Sequence, residues 1–204
     1  MRHLIIYAHP NDESLNHSIL STVTKHLESM NHEIIIRDLY KISFDPVLSL
    51  ADMQRQFTGE AAEDIKREQD HISWAEQITF IYPIWWTGLP AIMKGYIDRV
   101  FSYGFAYRYD QGIQKGLLKG RNAVIINTHG KSHEEYERTG MDKALALTSD
   151  HGIFTYSGLN VIRHFFFDRA DKVSPEQVEL WKEQIRNIYS EVTSVPELNY
   201  KHPL

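Results

Sequence analysis

Apolar and polar residues alternate along this chain at two different periods. Leu4–Ala8 is a short, nearly all-apolar run, as a strand buried on both faces requires. Ser14–Met30 follows, with Leu15, Ile19, Leu20, Val23 and Leu27 at helical spacing. Ile34-Ile35-Ile36 within Glu33–Arg37 predicts a second strand, and roughly Glu60–Ala75 a polar helix carrying Ile65, Ile72 and Trp74. Ile78–Tyr82 reads as a third strand. Pro90–Phe101 reads as a helix, with Pro90 in the first turn, where its missing N–H has no intrahelical partner to lose. Ala123–Thr128 and Asn160–Phe167 predict strands four and five, with a helix over roughly Glu134–Ser149 between them. A last helix, Ser174–Val192, opens on a Ser-Pro-Glu-Gln capping signature. Val195–Leu204 holds two prolines and little periodicity, which predicts a loosely ordered tail or an arm around a partner subunit.

Five buried strands separated by helices imply an α/β fold with a doubly wound parallel sheet of order 2-1-3-4-5. No repeat, low-complexity tract or linker interrupts the pattern, so residues 1–204 are read as a single domain. In such sheets ligands bind beyond the carboxyl ends of the strands, at the switch point. The loops after strands one, three and four are therefore where chemistry is expected.

Composition narrows the function classes. Hydrophobic residues make up 42% and charged residues 24% of the 204, the profile of a globular protein. The chain has no cysteine, which excludes disulfides, zinc–thiolate sites and thiol catalysis. No apolar run approaches the roughly 18–20 residues of a membrane span, and the start runs directly into strand one. A cytoplasmic protein without membrane insertion is expected. A net charge of −5 without a basic run argues against nucleic-acid binding. His133-Glu134-Glu135-Tyr136-Glu137 has the look of a zinc-binding helix, but the second histidine position is Glu137, so no metal is expected.

The first loop runs His9-Pro10-Asn11-Asp12-Glu13-Ser14-Leu15-Asn16-His17. Ser14 is a good N-cap, and the free N–H groups of the following turn form an anion site. An ordinary capped turn accounts for the same residues. The second loop is Tyr82-Pro83-Ile84-Trp85-Trp86-Thr87-Gly88-Leu89-Pro90. Two tryptophans at the carboxyl edge can wall a flat aromatic ligand whose rim bonds to the backbone; packing in the core or at a subunit interface is the alternative. The third, Asn127-Thr128-His129-Gly130, offers donors and a glycine that permits close backbone approach. Between them, Phe101–Gly112 is densely aromatic without helical period, suited to a partner or a flat substrate, with core filling the competing reading for Phe101 and Phe105.

These residues resemble a known family. Ala8-His9-Pro10 with Ser14-Leu15-Asn16, Asp38-Leu39-Tyr40 with Phe44-Asp45-Pro46, the block Pro83–Phe101, and Phe105-Ala106-Tyr107 are similar, in order, to the NAD(P)H:quinone oxidoreductases of DT-diaphorase type and their short bacterial relatives. The resemblance implies a flavodoxin-like fold and a homodimer with one flavin per subunit near the interface. It implies that His9, Ser14, Leu15 and Asn16 hold the flavin phosphate and ribityl chain, and that Pro83, Ile84, Trp85 and Trp86 hold the ring with Thr128, His129 and Gly130. Phe105, Tyr107 and Tyr109 would line the partner's acceptor pocket. The sequence departs where the family has Thr-Thr-Gly-Gly: here His129 replaces the first glycine. Tyr136 matches the family tyrosine, and no histidine follows it at Gly140-Met141-Asp142; His129 or His133 would have to substitute. Tyr136 and His129 are thus the catalytic candidates.

The implied reaction is a ping-pong cycle in which NAD(P)H delivers hydride to the flavin, leaves, and a small-molecule acceptor such as a quinone takes two electrons in the same place. The short Asp52–Glu63 stretch favours FMN over FAD. Azo or nitro compounds are alternative acceptors. A flavin-binding ancillary subunit of a membrane transporter is a rival reading, as is a flavodoxin-type electron carrier, although the latter's Thr/Ser/Gly-rich phosphate loop is missing.

Overall fold

A computed structural model describes residues 1–194. Five strands, β1 (Arg2–Tyr7), β2 (Glu33–Asp38), β3 (Gln77–Pro83), β6 (Asn122–Thr128) and β7 (Asn160–Phe167), form one parallel sheet in the order β2-β1-β3-β6-β7. Counted within this sheet, the order is 2-1-3-4-5, as the alternation of runs predicts. The fold is flavodoxin-like. A separate antiparallel hairpin pairs β4 (Tyr107–Asp110) with β5 (Ile113–Gly116).

Both faces of the sheet are covered. On one, Ile5, Tyr7, Ile81, Val124 and Ile126 pack against α1 (Leu15–Ser29) and α7 (Pro175–Ser194) through Ile19, Val23, Trp181 and Ile185. On the other, Leu4, Ile6, Phe80 and Ile125 meet α3 (Glu63–Trp74) and α4 (Ala91–Val100) through Ile65, Ile72, Met93 and Tyr96. This two-sided burial explains why the strands read as continuous apolar runs rather than alternating ones.

Three elements depart from the sequence-based expectation. First, α2 (Leu50–Thr58) opens with a reciprocal cap between Ser49 and Asp52. It was not anticipated because its apolar residues Leu50, Met53 and Phe57 face solvent, so they mark no core-facing stripe. Second, the helix expected over Glu134–Ser149 is broken. Gly140, at φ 73°, caps α5 (His133–Thr139), and α6 (Met141–Ala146) starts afresh before a π-helical segment, Leu147–Thr155. A positive φ is what glycine alone takes at little cost, so the break follows from that residue. Third, much of the aperiodic aromatic stretch is the β4–β5 hairpin, turned by Gln111 and Gly112 at positive φ. The tail expected at Val195–Leu204 lies outside the described residues.

A candidate cofactor cleft at the carboxyl edge of the sheet

The register of the sheet sets Tyr7 of β1 beside Ile81 of β3, and Tyr82 and Pro83 beside Asn127 and Thr128 of β6. The loops that follow these strands therefore converge on one edge. They enclose a cleft of about 280 Å³ lined by His9, Ser14, Leu15, Asn16, Pro83, Ile84, Trp85, Thr128, His129 and Gly130, together with Ala170 and Asp171. Nearly every residue expected from the first three loops to contact a cofactor is in this lining.

The first loop is built around the N-terminus of α1. Ser14 has extended backbone angles and its Oγ accepts from the His17 amide at 3.1 Å. The ring Nδ1 of His9 lies 3.1 Å from the Asn11 amide nitrogen and 3.2 Å from the Asn11 carbonyl oxygen, so the Asn11 backbone holds the ring in place at that atom. Burial lowers the His9 pKa, favouring the neutral ring. Asn16 is 3% exposed, and its Nδ2 donates to Thr128 Oγ1 at 2.7 Å, tying the first loop to the third. Its Oδ1 is buried with no hydrogen-bond partner.

The second loop is a tight turn. Trp85 and Gly88 exchange backbone hydrogen bonds of 3.1 Å in both directions, and Trp86 and Thr87 between them have φ of 49° and 56°. Positive φ at both central positions suits the turn but is uncommon for a bulky and a β-branched residue, and such local strain clusters at ligand sites. The turn divides the tryptophan pair. Trp85 lines the cleft, its ring centroid 5.9 Å from that of His9, whereas Trp86 is fully solvent-exposed and borders an adjoining cleft. Ile84 N–H donates to Thr128 O at 2.8 Å and locks the second loop to the third.

In the third loop His129 is 4% exposed; neither ring nitrogen makes a hydrogen bond of full geometry, although the Lys131 backbone lies close enough to favour a protonated ring. Its ring stacks on Tyr136, with centroids 4.6 Å apart and planes 8° from parallel. Burial lowers the His129 pKa and raises that of Tyr136, so the imidazole is held neutral and the phenol keeps its proton. Tyr136 borders the adjoining cleft with Ile84, Trp86, Gly130 and Lys131. His133 reaches instead to Glu137, at 3.2 Å on the surface of α5, and is not among the residues lining either cleft. Among the described residues no cluster of three or more His, Cys, Asp or Glu could hold a metal.

The hairpin residues lie elsewhere. Tyr107 lines a separate groove with Ile97, Phe101 and Tyr156, and the Tyr109 hydroxyl is 3.0 Å from that of Tyr156. Phe105, expected to face a substrate, is partly buried and packs against the core cluster, as Tyr107 does. Ala170 and Asp171 were not anticipated. They follow the fifth strand, whose carboxyl end lies on the same edge; the rule that singled out strands one, three and four applies to it equally.

Comparison with known proteins agrees with the fold. The family description "flavodoxin-like fold" matches residues 1–191. An uncharacterised NAD(P)H oxidoreductase of Haemophilus influenzae is 38% identical over 184 residues, 86% of this chain and 91% of that protein. NAD(P)H dehydrogenase [quinone] 1 of Cavia porcellus is 29% identical, covering 98% of this chain and 84% of its own. The solved structure of the NAD(P)H:quinone oxidoreductase from Methanothermobacter marburgensis superimposes with a TM-score of 0.83 at 26% identity, over 94% of this chain and 98% of that one. The match over nearly the whole chain, together with the observed strand order, makes this protein a member of the flavodoxin-like family.

Proposed function

We propose that the cleft binds a flavin and that the protein is an NAD(P)H oxidoreductase reducing quinones or similar acceptors. One observation carries the reading: two residues of the cleft lining hold buried polar atoms with no hydrogen-bond partner inside the chain, Asn16 at Oδ1 and His129 at its ring nitrogens. Buried polar groups are normally hydrogen-bonded, so these call for a ligand bearing both donors and acceptors. A polyol chain supplies a donor for Asn16, and a heteroaromatic rim suits His129. The resemblance to NAD(P)H oxidoreductases in sequence and structure supports the same reading.

A bound flavin supplies the hydride and two-electron chemistry that these side chains lack. The chain's own residues bind and orient it. The start of α1, with Ser14 and Leu15 in the lining, offers amide donors and the positive helix end to a phosphate. Trp85 and Pro83 give the ring an apolar wall. Neutral His129 offers one N–H, and Tyr136 holds its proton at Oη; we assign these two to balancing negative charge on the ring. The stretch after β2 is short, and its Asp52 is engaged by Arg99 Nε at 3.1 Å, which anchors α2 to α4. That favours FMN over FAD. The exposed apolar face of α2, Leu50, Met53 and Phe57, supports a homodimer, in which the half-exposed Tyr109, with Tyr107 behind it, would meet a second subunit's cleft.

The test is anaerobic addition of NADH or NADPH to FMN-loaded protein. Bleaching near the flavin absorbance maximum, followed by reoxidation with a quinone, is the expected result. A flavin that binds but stays oxidised would rule out the oxidoreductase assignment.

A further inference from the structure

We infer that Asp150, His164 and Asn127 form a largely buried, proton-bearing brace that holds the second and third cleft loops in register. They are positioning residues, and their effect on flavin rests on the reading above.

The argument is one of counting protons. Asn127 Nδ2 lies 3.0 Å from Tyr82 O. A carbonyl only accepts, so the amide nitrogen must face it and Oδ1 must point the other way. That Oδ1 is 2.7 Å from His164 Nε2, which must therefore carry a hydrogen. The opposite ring nitrogen, Nδ1, is 2.7 Å from Asp150 Oδ1. A neutral ring protonated at Nε2 would set a bare lone pair against a carboxylate at that distance. The pair must hold a second proton, as an imidazolium beside a carboxylate or as a neutral ring beside an acid. The Ser149 hydroxyl, 2.8 Å from the same Asp150 oxygen, gives that atom one further neighbour. The side chain of His164 is 6% exposed, and its ring stacks on Phe166 with centroids 3.8 Å apart.

The placement gives the brace its purpose. Asp150 sits in the π-helical segment, a widened turn often found at functional sites. From there the chain of bonds crosses β7 at His164 and β6 at Asn127 and ends on β3 at Tyr82. Tyr82 is followed by Pro83 and Ile84, and Asn127 by Thr128, His129 and Gly130, all of them cleft residues. Cutting the brace leaves the Asn127 amide oxygen buried without a partner, a cost that loosening these strand ends would relieve.

The experiment uses the whole chain as wild type, His164→Leu and Asp150→Asn, each checked for cooperative melting. Three readouts are taken: ¹⁵N spectra of His164, hydrogen exchange at the Ile84 amide in flavin-free protein, and FMN affinity. In the wild type, with the Asp150 carboxyl ¹³C shift read alongside, the pair should hold two protons: either both His164 nitrogens protonated, or Nε2 alone beside a protonated Asp150. In Asp150→Asn the new amide donates to Nδ1, so His164 should carry hydrogen at Nε2 alone. Ile84 protection and FMN affinity should then stay within about threefold, because the brace still closes. In His164→Leu both should fall roughly tenfold or more. If that variant does not fold, Asn127→Ala severs the same link and should give the same losses. A wild-type His164 with one protonated nitrogen beside an ionised Asp150, or unchanged Ile84 exchange when the link is cut, would overturn the brace. A wild type that takes up no flavin would instead remove the flavin reading, and the ¹⁵N and exchange results would still decide the brace.

Discussion

Two buried side chains in this protein carry opposite messages. Asn16 keeps an unpaired acceptor at the cleft, which a ligand can satisfy. Asn16→Leu removes that acceptor and the Thr128 bond, and should weaken FMN binding about tenfold, read by fluorescence titration. His3, at the opposite edge of the sheet, has no ligand in prospect. Its Nε2 is 2.9 Å from His32 Nδ1, and burial, with His32 beside it, lowers its pKa to about 4. The folded state therefore binds fewer protons than the unfolded state between that value and the ordinary 6.5. Stability present above about pH 6.5 is lost as pH falls toward 4, by up to about 3 kcal/mol from this group. Urea midpoints at pH 7 and about pH 4.5 should differ less for His3→Gln than for the wild type. Equal differences would remove His3 as the source. Neither role is legible in the sequence. His9, Ser14 and Asn16 stand out because they follow a strand end, whereas His3, just before the first apolar run, gives no hint of a second histidine stacked on it from residue 32.

Elements are held by contacts that composition alone does not disclose. Gly95 lies inside α4, where glycine weakens a helix, yet a Cβ there would run into the carbonyl and ring of Pro46. Gly95→Ala should thus destabilise the protein by about 1–3 kcal/mol, overriding the propensity gain, as measured by thermal or denaturant unfolding. A stabilised variant would mean the Pro46 loop gives way freely. The five strands and the first and last helices were readable because burial on both sheet faces imprints unbroken apolar runs and 3.6-residue stripes. The middle of the chain was less readable. α2 buries little of its apolar side, the β4–β5 hairpin is too short and half-exposed to show a period, and Gly140 in a helical pattern can be either a tolerated interior glycine or a stop.

At the scale of the molecule, burial and exposure point toward association. Phe57 is 86% exposed on the same face of α2 as Leu50 and Met53, and Trp86 is fully exposed beside the clefts. Exposed apolar patches of this kind mark interfaces. Phe57→Asp should shift the sedimentation profile from dimer to monomer while leaving the melting transition cooperative. A wild type that is monomeric at micromolar concentration would dismiss the proposed assembly. The cleft itself was legible because fold topology fixes where a ligand sits, and three loops of chemistry-bearing residues fell at that edge. The orphaned atoms that make it a credible flavin site needed coordinates, since a sequence shows which donors exist but not which remain unpaired.

The most direct measurement is an equilibrium titration of purified wild-type protein, freed of any bound flavin, with FMN and with FAD, followed by flavin and Trp85 fluorescence. Saturable uptake of one FMN per chain with a dissociation constant below about 1 μM is the result expected of the cleft described above. Absence of saturable binding of either nucleotide up to about 100 μM would contradict it.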